Sequence, residues 1–191
     1  MTEQYLYPSI YVNKLCLSSI ENTIKKLNEY NYRAYGTLDL DTYINEDKYI
    51  YVSEDLSFFC NNQYDNYEKY IEIVYEKVMG SVIDFDEKRI VCDMAMLIPK
   101  HNKVLHVPKN THIEIIEISG KRVHPLVDIG SNISRNSKLC YTVTKKYEVR
   151  SIKSDIDGVV IYVGEAFLDK EQTIYIIIAE EGKTHELTRC H

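Results

Sequence analysis

Apolar and polar residues alternate in short runs along most of this 191-residue chain, and the second half shows the pattern most regularly. From residue 104 onward the apolar runs are separated by residues that favour turns, such as Gly120, Gly130 and Asn136. The runs span residues 104–107, 112–118, 122–127, 139–143, 149–153, 159–163 and 173–179. Because helical periodicity is absent here, many short strands at this spacing predict a sandwich or barrel.

One amphipathic helix is predicted near the N-terminus, at about residues 19–30. Ser18 to Glu21 matches a capping box, in which a serine hydroxyl and a later glutamate satisfy free backbone N–H groups. Ile20 and Ile24 follow at helical spacing, so one apolar stripe can face a core.

The rest of the first hundred residues favours strands. Residues 49–52 are rich in Tyr, Ile and Val, and residues 82–85 and 89–93 flank a turn as the arms of a hairpin do. Residues 66–79 fit either a helix or a strand. Their β-branched and aromatic content favours the strand.

These patterns predict a mainly β protein with a minor α+β N-terminal part. We expect a smaller, tyrosine-rich region at residues 1–100 and a β domain at residues 101–191, a length that suits two small domains. The final residues, 180–191, are polar, and we expect them to fray.

The composition is that of an ordinary globular protein, with 45% hydrophobic and 27% charged residues. The net charge of −6 argues against a nucleic-acid binder, because phosphate contacts require a concentrated basic surface. The N-terminus lacks the basic start and apolar core of a signal peptide, and no apolar run approaches membrane-spanning length. We therefore expect a cytoplasmic protein that contacts no membrane.

The cysteines and histidines give no pattern of a metal or redox site. Five cysteines occur singly at irregular spacing, which predicts reduced, mostly buried thiols. No two of the six histidines have the i,i+4 spacing of a helical zinc site. His106 and His112 flank a turn, and we expect exposed residues at strand ends. The terminal pair Cys190 and His191 is expected to be incidental.

Two phrases in the second half carry the most specific signal. The first consists of Val127, Gly130, Ile133 and Leu139. The second, residues 153–160, reads Lys-Ser-Asp-Ile-Asp-Gly-Val-Val, and we expect Gly158 to adopt a positive φ in a turn. In spacing both resemble the phrases that flank the cofactor hairpin of biotinyl/lipoyl domains. The resemblance implies a barrel-sandwich hybrid over about residues 103–179, with Asn136 replacing a turn glycine.

The residue at the attachment position of the predicted hairpin does not match the biotinyl/lipoyl pattern. In biotinyl and lipoyl carriers the modified lysine precedes the glycine of the second phrase by a fixed interval. Counting eleven residues back from Gly158 gives Tyr147. Lys145 and Lys146 lack the methionine neighbours of the biotin box and the Asp and Ala of the lipoyl box. The resemblance thus implies the fold without its attachment lysine, and we expect no covalent cofactor.

The whole pattern, including Thr-Lys-Lys-x-Glu-Val-Arg-Ser-Ile-Lys-Ser at residues 144–154, is similar to archaeal domain-of-unknown-function family 2118. Members of that family have a biotinyl-like C-terminal domain and no assigned activity. The resemblance therefore implies a fold and supplies no reaction.

Four positive charges surround one predicted hairpin of this acidic protein, namely Lys145, Lys146, Arg150 and Lys153. A charged hairpin discourages edge-to-edge strand pairing, which is its structural interpretation. Its functional interpretation is a docking tip for an acidic partner or RNA, with Tyr147 as an aromatic anchor.

Three functions follow from these observations. The leading one is a non-catalytic binding or assembly module with a protein partner or self-association, docking through Lys145, Lys146, Tyr147 and Arg150. The second is a carrier modified on Lys146. The third is an enzyme with a site between the two domains, although the sequence has no phosphate loop or nucleophile elbow.

Overall fold

The computed structural model describes residues 8–29, 44–75, 78–98, 103–168 and 171–190. Of these residues 57% lie in strands and 11% in helices, which confirms the predicted mainly β fold. The chain forms two compact units. The barrel unit comprises the described residues up to Thr111 together with those from Thr184, and the inserted unit is His112–Lys183.

The elements follow one another along the chain, first in the barrel unit. They are β1 (Ser9–Asn13), a 3-10 turn (Lys14–Cys16), α1 (Leu17–Glu29), β2 (Ile44–Ser53), β3 (Phe58–Cys60), β4 (Tyr67–Ile73), α2 (Met79–Val82), β5 (Ile83–Asp84), β6 (Arg89–Ile90), β7 (Met94–Ile98) and β8 (Lys103–Val107). The inserted unit contains β9 (Ile113–Gly120), β10 (Arg122–Pro125), β11 (Asn132–Ile133), β12 (Lys138–Val143), β13 (Val149–Lys153), β14 (Gly158–Leu168) and β15 (Glu171–Glu180). The chain then returns to the barrel unit in β16 (His185–Arg189).

Seven strands of the barrel unit close into a barrel in the order β1-β4-β2-β3-β16-β8-β7, and β7 pairs back to β1. Strand β16 runs parallel to β3 and antiparallel to β8. It therefore completes the barrel, although the whole inserted unit separates it from β8 in the sequence.

Strand register identifies the side chains inside the barrel, because directly paired residues project to the same face of a sheet. Tyr11 pairs with Ala95, Ala95 with His106, and His106 with His185. A buried apolar cluster, drawn from six of the strands, consists of Tyr11, Ile50, Val52, Tyr70, Ala95, Val104 and Leu187. The barrel thus has an interior that is largely apolar but includes histidine.

The inserted unit consists of two sheets, β10-β12-β13 and β11-β14-β15-β9. An apolar cluster contains residues of both sheets, namely Ile118, Val123, Ile133, Leu139, Cys140, Val160, Ile174, Ile176 and Ile178. The first and last strands of the unit, β9 and β15, pair with each other over eight residue pairs. No helix occurs between residues 103 and 168, as the sequence predicts.

The turn residues of the inserted unit only partly follow the sequence-based expectation. Gly130 and Asn136 adopt positive φ values of 81° and 68°, so asparagine does supply a left-handed turn. The positive φ expected for Gly158 is wrong, because this residue is absent from the positive-φ positions and begins β14. Glycine is needed there for another reason: a Cβ would lie 2.2 Å from the carbonyl oxygen of Ala179 on the paired strand.

In the barrel unit, the strand interpretation of residues 66–79 is confirmed for Tyr67–Ile73, which form β4, but Met79 begins α2, and residues 76 and 77 lie outside the described part of the chain. The helix near residue 20 is also present, but its start differs from the prediction. A 3-10 turn leads directly into α1, and Asn13 rather than Ser18 caps it. The Asn13 side-chain oxygen accepts a hydrogen bond from the Leu15 N–H at 2.9 Å.

The expectation that residues 180–191 fray is wrong. Leu187 of β16 is 4% exposed and packs in the barrel interior. The predicted division at residue 101 also differs from the two units, since β8 and β16 both pair with barrel strands. The sequence does not reveal β16, because this strand has five residues and one buried apolar side chain, too few to show an alternating pattern.

Candidate functional sites

The β12–β13 hairpin ends in the tip that the sequence predicts at residues 145–148. The Tyr147 N–H donates to the Thr144 carbonyl at 2.9 Å, and the Thr144 N–H donates to the Glu148 carbonyl at 2.9 Å. Tyr147 has a φ of 63°, a left-handed conformation that is uncommon for a residue other than glycine. Its side chain is 71% exposed. The tip is therefore fixed by backbone hydrogen bonds while its aromatic ring remains accessible.

Lysine side chains cover two tyrosines of this sheet. Lys121 Nζ lies 3.9 Å from the centroid of the Tyr147 ring and also hydrogen-bonds the Tyr147 hydroxyl. Lys138 Nζ lies 5.7 Å from the centroid of the Tyr141 ring. Both distances are in the range of cation–π contacts. The lysine charges and the tyrosine rings are thus presented together.

We call the exposed residues of this sheet and its tip the basic face; they are Lys121, Lys138, Tyr141, Lys145, Lys146, Tyr147 and Arg150. Between Lys121 and Lys153 the chain has eight Lys and Arg residues and two Asp and Glu residues, in a protein of net charge −6. Arg150 forms an ion pair with Glu148 at 2.9 Å between two exposed side chains, a contact that adds little to stability.

The barrel interior contains a chain of hydrogen-bonded polar side chains that the sequence analysis does not single out. The Asn13 amide donates hydrogen bonds to Glu68 Oε2 and to the Tyr70 hydroxyl. The Tyr70 hydroxyl lies 3.1 Å from His106 Nε2. Asn13, Tyr70 and His106 are 4%, 2% and 1% exposed. Burial raises the pKa of Tyr70, so its hydroxyl keeps its proton and can donate it to His106.

Burial also lowers the pKa of His106, to about 4, and the neighbouring His185 lowers it further while Asp93 opposes the shift. The imidazole is therefore neutral near pH 7. Its second nitrogen, Nδ1, has no hydrogen-bond partner among the described residues. The Tyr70 hydroxyl and His106 Nε2 thus form the hydrogen bond that holds the ring, and Nδ1 is a buried polar atom without such a bond. The exposed position expected for His106 is wrong, because the register of the closed barrel places it on the same side of β8 as the buried Val104.

The cysteines also differ in part from expectation. Cys16, Cys92 and Cys140 are free and buried, as predicted, and a hydrogen bond from Cys92 lowers the pKa of Cys16 to about 7 against the effect of burial. Cys60 and Cys190, in contrast, form a disulfide. Spacing could not reveal this pair, because 130 residues separate the two cysteines and the fold brings β3 and β16 together.

A cavity of about 780 Å³ opens at one end of the barrel, and we call it the barrel mouth. Six strands or their ends line it, through Tyr11, Asp47, Lys48, Tyr49, Ile50, Phe59, Asn61, Leu97, Val104, Glu186, Leu187, Thr188 and Arg189. Val104 pairs with both Leu97 and Leu187, so these three side chains form one layer of the wall. His106 and its partners lie two residues further along the same strands, deeper in the barrel.

Two expected absences concern metal ions and membranes. Within the described part of the chain, no group of three or more His, Cys, Asp or Glu residues is arranged to hold a metal ion. No helix in the described ranges combines the length and apolar character needed to cross a bilayer. Cys190 of the terminal pair is engaged in the disulfide, and His191 lies outside the described residues.

The fold and these surfaces define a mainly β protein with a closed barrel and an inserted two-sheet unit. A family model described as an uncharacterized protein conserved in archaea, DUF2118, matches residues 8–181, and the chain belongs to this family. The chain is also 24% identical over 79 residues to Uncharacterized protein MJ0859 of Methanocaldococcus jannaschii. That similarity covers 41% of this chain and 48% of the relative, so it spans about half of the relative's length. The predicted family membership is confirmed.

Proposed function

We propose that this protein is a non-catalytic docking module whose inserted unit is a biotinyl/lipoyl-like domain without the attachment lysine. Its basic face would bind an acidic surface of a protein partner. The observation that carries the proposal is Tyr147, which takes the place of the modified lysine at an exposed tip fixed by backbone hydrogen bonds. The tip thus keeps the accessible geometry of a carrier hairpin but presents a binding side chain.

The arrangement of the inserted unit supports the biotinyl/lipoyl-like assignment. It has two sheets around one apolar cluster, and its first and last strands are paired. The β12–β13 hairpin lies between the two phrases at residues 127–139 and 153–160, as the cofactor hairpin does in the carriers that the sequence resembles. The positive φ of Gly130 and Asn136 fits the turns that the first phrase requires.

The residues at the tip do not fit a biotin or lipoyl group. Both groups are attached through an amide bond to a lysine amine, and the phenol of Tyr147 cannot form that bond. Lys145 and Lys146 are exposed beside it but lack the neighbours that the ligases read. We therefore propose no step that involves either cofactor.

The physical properties of the basic face suit docking. Its tip is ordered before a partner arrives, so binding loses less conformational entropy than folding a mobile loop would. Its lysines would steer an acidic partner and favour a high association rate. Tyr147 adds an exposed aromatic side chain, and tyrosine is one of the residue types that contribute most to binding energy at protein interfaces. These features support a protein partner of negative charge.

The experiment compares two triple variants that remove the same residue types. Lys145→Ala/Lys146→Ala/Tyr147→Ala changes the tip, and Lys25→Ala/Lys26→Ala/Tyr64→Ala removes exposed residues of the barrel unit. Each is used to capture partners from native extract at low and high salt, and captured proteins are quantified by mass spectrometry. We expect the tip variant to lose partners that the parent and the control retain, and we expect high salt to release them.

Three results would contradict the proposal. Equal capture of partners by the two variants would show that the tip is a structural turn without a role in docking. Captured material that is lost on ribonuclease treatment would replace the acidic protein with RNA. A mass increment matching biotin or lipoate on the natively purified protein, located at Lys145 or Lys146, would instead support a carrier function.

A further inference from the structure

We propose that the barrel mouth binds a small aromatic carboxylate, with Arg189 holding the carboxylate and Phe59 and Tyr11 packing against the ring. This site lies within the barrel unit and does not depend on the proposed docking function. It joins three observations: a cavity of ligand size, a guanidinium on its wall that forms no ion pair with another described residue, and a disulfide next to that residue in the sequence.

The shape and lining of the cavity fit a small organic molecule. Its volume of about 780 Å³ falls within the range of about 300–1,000 Å³ that is usual for ligand sites, and the mouth of a barrel is a common position for them. Part of the wall is apolar, with Val104 2% and Leu187 4% exposed, and the rest is polar or charged, including Asp47, Asn61 and Thr188. Three aromatic residues, Tyr11, Tyr49 and Phe59, line the same space. A flat aromatic ring would bury its surface against these side chains.

The lining contains two basic and two acidic residues, and one of the basic residues, Arg189, can hold a carboxylate. Lys48 is already paired with Glu72 at 3.1 Å, and Glu186 is paired with Lys103 at 2.8 Å. Arg189 forms no ion pair with another described residue. A guanidinium presents its N–H groups in a fixed fork that matches the two oxygens of a carboxylate. Asp47, which also lines the cavity, forms no ion pair with another described residue either. The lining therefore carries one unpaired carboxylate and one unpaired guanidinium, and a ligand carboxylate would pair with the guanidinium.

Register directs Arg189 towards the cavity. It lies two residues after Leu187 on the same strand, so its side chain leaves the strand on the same side, and it lines the cavity as an exposed residue. It also pairs directly with Phe59 of β3, which packs against the interior cluster. A carboxylate bound by Arg189 would thus place its ring beside Phe59.

The Cys60–Cys190 disulfide holds these two residues in place. Each cysteine directly follows one of them in the sequence, Cys60 after Phe59 and Cys190 after Arg189. The Cys190 N–H also donates to the Phe59 carbonyl at 3.0 Å. A site whose walls are fixed before binding loses little free energy in ordering them.

The test is a fluorescence titration of the full chain with 2-naphthoate and with its neutral analogue 2-naphthamide. We expect naphthoate to bind with saturation and about tenfold more tightly than the amide, the loss typical when a charge-assisted hydrogen bond is removed. Arg189→Gln should remove that preference by weakening naphthoate alone. Arg122→Gln, an exposed arginine of the inserted unit, should leave both affinities unchanged.

Methyl NMR spectra locate the site independently of any variant. We expect naphthoate to shift the Val104 and Leu187 signals and to leave Ile174 and Ile176, in the core of the inserted unit, unshifted. Equal affinities for naphthoate and the amide in the parent would overturn the proposal, even where Arg189→Gln is poorly folded. Shifts confined to the inserted unit would overturn it as well.

Discussion

The two units of this protein bury different kinds of polar side chain. The barrel unit buries a hydrogen-bonded series of Asn13, Tyr70 and His106 inside its barrel. Of its described polar side chains, the inserted unit buries only hydroxyl groups, such as that of Ser154, beside aliphatic side chains such as Ile174. Its lysines that are exposed on the basic face are Lys121, Lys138, Lys145 and Lys146. Buried polar groups hold a fixed geometry and an altered protonation state, whereas exposed charges are free to attract a macromolecule. The comparison explains why we propose a small ligand for one unit and a protein partner for the other.

The units also differ in how they close. Consecutive segments form the whole inserted unit, and neighbouring strands such as β12 and β13 pair across short turns. The barrel needs β16, which joins only after the inserted unit and pairs with β3 over two residues. Strands that pair across a long sequence interval lose more chain entropy on closing. The disulfide joins the ends of these two strands, at Cys60 and Cys190.

The largest predicted effect tests this difference in closure. Replacing both Cys60 and Cys190 with alanine should lower the unfolding free energy of the barrel unit by about 4 kcal/mol, because the disulfide closes a loop of more than a hundred residues in the unfolded chain. Hydrogen exchange should accelerate in β3 and β16 and stay unchanged in β14 and β15. Reducing the parent with dithiothreitol must reproduce the result. Equal acceleration in both units would contradict the assignment of the bond to the barrel.

The second prediction concerns strand packing in the inserted unit. Gly158→Ala should cost about 3 kcal/mol, because the new Cβ overlaps the Ala179 carbonyl oxygen and a strand must move. Gly182→Ala is the matched control. Gly182 has a φ of 74° and open space around it, so that change should cost only about 1 kcal/mol of left-handed strain. Chemical denaturation measures both, and an equal or smaller loss at Gly158 would contradict the close approach.

Gly158 is an example of a residue whose structural role could not be predicted from the sequence alone, whereas much of the strand pattern around it could. The seven runs predicted after residue 103 correspond to β8 to β10 and β12 to β15, because short strands and turns leave a local signal. The tip at Tyr147 was predictable for the same reason. What the sequence does not reveal depends on distant partners: the burial of His106 requires a closed barrel, and the need for glycine at 158 comes from the neighbouring strand.

The third prediction uses the buried histidine to separate the units by pH. The pKa of His106 is about 4 in the folded state, against 6.5 for an ordinary histidine, so the unfolded chain binds the extra proton between these values. Stability is therefore complete above pH 6.5 and declines as the pH falls towards 4, by roughly 2–3 kcal/mol in total. Urea unfolding of His106→Gln should show a shallower decline over this range. His124→Gln, which changes an exposed histidine of the inserted unit, should decline as the parent does.

The smallest predicted effect has the opposite sign and concerns the tip. Tyr147→Gly should leave stability unchanged or raise it by up to about 1 kcal/mol, because glycine adopts the φ of 63° without strain and only the contact with Lys121 is lost. Lys146→Gly is the control; Lys146 is not at a positive φ, so glycine there should lower stability. If Tyr147→Gly also reduces partner capture, the tyrosine is present despite its backbone preference, as a binding residue is expected to be. Full capture by a stabilised Tyr147→Gly variant would show that the exposed ring contributes nothing to docking, and would leave the lysines of the basic face as its only support.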